Sequence, residues 1–105
     1  MADEFEGKVE LSGFHDIDEP TMNSVKSAIR SYVKRFSELS RGFDKVTLKM
    51  KKIHVQTHSE KYEVHASVID NGRMYNATIS DNSLLFAVEA ALKKIENEIA
   101  KTRVL

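Results

Sequence analysis

The chain contains no cysteine. Disulfides, thiolate metal sites and thiol catalysis are therefore excluded, and a reducing cytoplasm fits without being required. Neither sign of charge is in excess, since 16 Lys and Arg offset 16 Asp and Glu. A domain that binds nucleic acid indiscriminately is expected to be strongly basic, so any affinity for RNA must come from how the charges are arranged. No apolar run approaches the roughly 20 residues that span a bilayer, and no membrane partner is expected. The opening Met1-Ala2-Asp3-Glu4-Phe5-Glu6-Gly7 is acidic and has no apolar centre, so neither a secretory signal nor a basic transit peptide is expected. Residues 1–7 read instead as an acidic flexible N-terminus. Long linkers, repeats and low-complexity tracts are also missing. With 105 residues and 41% hydrophobic content, one domain over residues 8–105 with one core is expected.

Catalytic signatures are missing too. There is no GxSxG, P-loop or GxGxxG, and all four glycines stand alone. The histidines are His15, His54, His58 and His65. His54 and His58 have the i, i+4 spacing of a helical metal pair, but they fall in a strand-and-turn stretch where that spacing does not converge. They read as surface histidines. Asp16, Asp18 and Glu19 cluster at a helix start, where capping and the helix dipole account for them. No enzyme, cofactor, metal site or small-molecule substrate is expected.

What is present is strong periodicity. Lys8 to Phe14 alternates with Val9 and Leu11 on one side, the pattern of a half-buried strand. Asp18 is placed to cap a helix with Pro20 in its first turn. Met22, Val25, Ile29, Tyr32, Val33 and Phe36 then recur at helical spacing through about Leu39. Ser40-Arg41-Gly42 ends that helix, and Gly42 is available for a left-handed C-cap. Val46, Leu48 and Met50 begin a second strand, whose phase slips beyond Lys52 and implies a bulge or an end there. Gln56 to Ser59 read as a polar turn. Tyr62, Val64, Ala66 and Val68 make a third strand. Asp70-Asn71-Gly72 signals a type I′ hairpin, and Tyr75, Ala77 and Ile79 return. Within Ser80-Asp81-Asn82-Ser83 lie several N-caps. Leu84, Val88, Ala91, Leu92, Ile95 and Ile99 share one face of a last helix. The expected fold is an α+β two-layer sandwich in the order β-α-β-β-β-α, with two helices on one face of a four-stranded sheet. Phe86 points away from the last helix's stripe and is expected to be partly buried at a helix edge. Met74 and Tyr75 are adjacent, so only one of them faces the core.

The basic residues form rows. Lys26, Arg30 and Lys34 stack at i, i+4, i+8 on the first helix with no acid in the row. On the last helix Lys94 and Lys101 share a flank beside Ala87, and Arg103 continues the basic end. Such rows can track phosphates, although solvated helix faces carry similar charges. Lys45, Lys49, Lys51 and Lys52 on the second strand read as solubilising charges.

The chain resembles the ribosome hibernation-promoting factors, the short ribosome-associated translation inhibitors also called the protein Y family. Tyr62-Glu63-Val64-His65-Ala66-Ser67 is similar to that family's penultimate strand. The run from Ser83 to Ile95, SLLFAVEAALKKI, is similar to its last-helix signature. The Val-Glu-Leu-Ser-Gly strand, the long helix and the strand opening after Phe43-Asp44 follow the same order. The pattern departs from the family at Ser83, Leu85 and Asn97, and in a longer loop before the first helix. The resemblance implies a non-enzymatic protein that binds the small ribosomal subunit and its ribosomal RNA in the mRNA/tRNA channel. There it would inhibit translation under stress or in stationary phase. It also implies a cytoplasmic protein, monomeric off the ribosome, without the dimerising C-terminal domain of the long forms. Lys26, Arg30, Lys34, Lys94, Lys101 and Arg103 are the RNA-binding candidates, carried over as basic positions on the two helices.

Two other readings stand beside it. A double-stranded-RNA-binding domain shares the β-β-β-α half, but its lysine-rich helix opening is missing between Ser83 and Leu92. A protein-interaction domain would pair through a sheet edge or Phe86, as the zero net charge allows.

Overall fold

Asp18 caps the first helix as its position suggests. In the computed structural model, which describes residues 7–56 and 59–103, its carboxylate accepts hydrogen bonds from the Thr21 amide at 3.0 Å and the Thr21 hydroxyl at 2.8 Å. These contacts satisfy an amide that the helix itself leaves unpaired. Helix α1 spans Glu19–Leu39, with Pro20 at its start. Val25, Ala28, Ile29, Tyr32 and Phe36 are buried along one stripe, while Met22 and Val33 are half-buried at its margin.

The helix stops without a left-handed glycine. Ser40 is extended and returns its N–H to the Phe36 carbonyl at 3.1 Å. Gly42, expected to cap the helix, does not adopt a positive φ. It is needed for a close approach instead: a Cβ there would lie 2.8 Å from the Cα of Asn71.

The strands are β1 Val9–Ser12, β2 Phe43–Gln56, β3 Ser59–Asp70 and β4 Arg73–Asp81, and α2 spans Leu84–Arg103. The sheet order is β1-β2-β3-β4, with β1 parallel to β2 and the other neighbours antiparallel. The α+β, β-α-β-β-β-α arrangement read from the sequence is the observed one. Asn71 and Gly72 have φ of 55° and 77°, the two left-handed positions of a type I′ turn. They lock β3 and β4 in a register without a slip from Asp70↔Arg73 to Tyr62↔Asp81.

Two boundaries differ from expectation. β1 is shorter than the Lys8–Phe14 alternation, because Phe14 leaves the strand to join the core. β2 has the irregularity expected beyond Lys52, but later than the change of phase. Its pairing with β3 shifts between Phe43 and Lys45, continues through Ile53↔Lys61 and His54↔Glu60, and shifts again between His54 and Gln56. There β1 has already ended opposite Lys49, and β4 reaches back only to Tyr62. With little of the sheet left to cover, alternation no longer governs register, and backbone hydrogen bonds alone extend the ribbon. The centre of the expected polar turn, Thr57 and His58, lies outside the described residues.

Val46, Leu48, Met50, Val64, Ala66, Val68 and Ala77 present one buried sheet face. Helix α1 packs against β2, and α2 packs against β3, β4 and α1. Leu84, Val88, Ala91, Leu92, Ile95 and Ile99 of α2 are buried as their spacing implies. Phe86 is not: it is 55% exposed. It lies on the solvent side of α2, and no further element among the described residues covers that side. Met74 is exposed on the open sheet face while Tyr75 packs against the core. No helix among the described residues is long and apolar enough to cross a membrane.

Candidate nucleic-acid interface

The two basic rows are positioned by how the helices meet. Arg35 of α1 faces α2, its Nη1 3.6 Å from Glu96 Oε1, with its guanidinium 4.7 Å from the Tyr32 ring. Lys93 holds the same Glu96 oxygen at 3.4 Å. Towards the helix N-termini, Ser24, Ser27 and Ser31 line an open groove opposite Leu85 and Glu89. The contact sides are thus Ser24-Ser31-Arg35 on α1 and Leu85-Glu89-Glu96 on α2.

At about 100° per residue, Lys26 and Arg30 fall on the other flank of α1, and the row drifts to the solvent-facing crest at Lys34. Lys94 and Lys101 fall on the other flank of α2. Arg30, Lys34, Lys94 and Lys101 are exposed, and Lys26 is half-buried. Each row is kept together along its own helix. The two rows stay on separate helices, with Glu89 and the Arg35–Glu96–Lys93 ion-pair cluster between them at the helix–helix seam. The backbone of Arg103 closes α2. Lys26, Lys34, Lys94 and Lys101 form no ion pair among the described residues, so their charge is available to a polyanion.

On the second strand the lysines divide. Lys45 holds Glu10 at 3.0 Å, and Lys52 holds Asp16 through its carboxylate at 3.4 Å and its carbonyl at 3.2 Å. Lys49 and Lys51 project freely from the open sheet face.

That face carries a polar network not anticipated from the sequence. The His65 ring lies between the Glu63 carboxylate, 3.1 Å from Nε2, and the Thr78 hydroxyl, 3.1 Å from Nδ1. Ser67 donates to the Asn76 side-chain oxygen at 2.7 Å. Thr47, Lys49, His65, Ser67, Asn76 and Thr78 line a shallow depression of about 330 Å³. The signal was present: the Asn71-Gly72 turn fixes the register that sets His65 opposite Thr78 and Ser67 opposite Asn76. Among the described residues no cluster of histidine and carboxylate is arranged to hold a metal.

The fold and surface define a two-layer α+β domain with basic residues on separate margins of its helical layer. No family model matches the chain, and no curated protein matches it. Solved structures share its fold. A ribosomal subunit interface protein from Coxiella burnetii superposes with a TM-score of 0.63 at 14% identity, covering 92% of this chain and 98% of that one. The N-terminal domain of Thermus thermophilus Protein Y superposes with a TM-score of 0.54 at 14% identity, covering 90% and 96%.

Proposed function

We propose that the chain is a non-enzymatic, cytoplasmic ribosome-binding protein that occupies the mRNA/tRNA channel of the small subunit and inhibits translation. The observation that carries this reading is the end-to-end likeness to a ribosomal subunit interface protein and a Protein Y domain. The sequence resemblance in β3 and α2 supports it independently. No bond need be made or broken: a folded wedge excludes tRNA by volume, and cations on its margins hold phosphates of the surrounding ribosomal RNA. Lys26, Arg30 and Lys34 on one margin, and Lys94, Lys101 and Arg103 on the other, are the residues assigned to those contacts. Residues 8–105 act as the single binding domain.

Co-sedimentation with purified small subunits across a salt series tests the proposal. Binding at low salt with a steep loss as salt rises is the expected result. Lys26→Glu combined with Lys94→Glu should abolish it. A protein that stays in the supernatant at low salt would end the ribosomal reading.

A further inference from the structure

The two outer edges of the sheet are unlike. β1 is four residues long and is flanked by the Glu10–Lys45 ion pair. β4 is nine residues long, and from Met74 to Ser80 it carries no charge, no proline and no irregularity in its register. Edge strands are normally blunted by lysine, proline, bulges or brevity. β4 has none of these devices, and among the described residues nothing pairs with its outer side.

The hairpin determines which backbone groups that side offers. A two-residue turn makes Asp70↔Arg73 a hydrogen-bonded pair, so Arg73, Tyr75, Ala77, Ile79 and Asp81 bond inward to β3. The N–H and C=O groups of Met74, Asn76, Thr78 and Ser80 therefore point outward. Antiparallel pairing with a second copy requires these residues to meet one another.

We infer that β4 pairs antiparallel with β4 of a second copy, about a two-fold axis at Ala77, giving a continuous eight-stranded sheet. The ends of the strand select this register. It sets Arg73 opposite Asp81 of the second copy, twice over. Arg73 is exposed with no ion pair among the described residues. Asp81 accepts one hydrogen bond, from the Ser83 amide at 2.8 Å, and retains acceptor capacity. The intervening pairs also match in kind. Tyr75 meets Ile79, both half-buried, as an aromatic–β-branched pair on the helix side. Asn76 meets Thr78 on the open side, and Ala77 meets Ala77 at the axis without bulk. A register shifted by two residues loses the Arg73–Asp81 pairs.

The seam is self-complementary, as a two-fold interface must be. It is also small, so association in the micromolar range or weaker is expected. The pairing departs from the monomer expected from the sequence. Because α2 packs over β3 and β4, its Lys94 and Lys101 flank borders the same edge, so pairing brings the two copies' lysines towards each other, and added salt should strengthen the dimer by screening them.

Sedimentation velocity of the full chain over a concentration series tests this without reference to ribosomes. The expected result is a reversible monomer–dimer equilibrium. Thr78→Pro removes an outward N–H and leaves the β3 ladder intact; it should be monomeric throughout, with an unchanged circular dichroism spectrum. Arg73→Glu should weaken the dimer, and adding Asp81→Lys should restore it. Because the chain has no cysteine of its own, register can be read directly. An equimolar mixture of Asn76→Cys and Thr78→Cys proteins should form a covalent heterodimer faster than either variant dimerises alone. A wild-type chain monomeric at every concentration, a dimer indifferent to both Thr78→Pro and Arg73→Glu, or cross-linking without preference for the mixture overturns the proposal.

Discussion

The Ser40 hydroxyl, one residue past the end of α1, donates a hydrogen bond to the Asp70 carboxylate at the end of β3, and both side chains are buried. Ser40 Oγ also accepts the Gly42 amide at 3.1 Å, and the Gly42 carbonyl accepts the Asn71 amide at 2.7 Å. The loop that ends α1 and the hairpin that turns β3 into β4 are therefore one hydrogen-bonded unit.

Breaking that unit should be costly. Ser40→Ala leaves a buried carboxylate short of a donor, a loss of about 1–3 kcal/mol. Urea unfolding should show a lower midpoint with an unchanged slope. In a double-mutant cycle with Asp70→Asn the two effects should fall short of adding. Full additivity would mean the two side chains are not coupled.

Gly42 should resist enlargement although its backbone angles demand no glycine. An added Cβ would lie 2.8 Å from both the Cα and the Cβ of Asn71, so Gly42→Ala should destabilise by about 1–3 kcal/mol through overpacking. Removing one of the colliding atoms with Asn71→Gly should recover part of the loss in thermal melts. No recovery would place the strain elsewhere.

Acid should loosen the start of α1. Hydrogen bonds from the Thr21 hydroxyl, and next from the Thr21 amide, hold the Asp18 carboxyl below its usual 3.8. A group whose folded pKa is depressed stabilises the fold above its unfolded value, and that stabilisation fades as pH falls through the folded value. Helicity should therefore drop in the range below 3.8, and Asp18→Asn should flatten that part of the profile while keeping an N-cap. A variant with the same acid profile as wild type would exclude Asp18 as the cause.

Separate margins should give separate contributions to polyanion binding. Lys34→Ala and Lys101→Ala should each reduce the salt slope of ribosome binding by about one phosphate contact. Together they should reduce it by about two, since the residues share no partner. A variant that lowers affinity without changing the slope would act through packing instead.

Much of the fold is legible because its signals are local. Asp18 with Pro20, the Val25-Ile29-Phe36 stripe and the Asn71-Gly72 turn each act within a few residues of chain. The misreadings involve distant contacts. Gly42 looks like a helix cap until Asn71 is seen against it. Phe86 looks coverable because its neighbours Ala87 and Val88 are buried, and only the arrangement of layers leaves its side of α2 bare. Basic rows can be drawn on helical wheels, but which flank of each helix meets the other depends on contacts such as Arg35–Glu96, which join residues far apart in sequence. The His65 network lies between these cases, readable once the hairpin register is followed along both strands.

The division of charge between two margins also acts as a ruler. A single phosphate chain lying along the surface can follow one row of cations at a time, because the cations at the seam, Arg35 and Lys93, are already engaged by Glu96. A polyanion that engages both rows must span the two helices, as two strands rather than one track. On the proposed reading, the width of two packed helices becomes the gap that such a ligand would have to present, and a neutral protein would select a shape where a basic one would accept any strand.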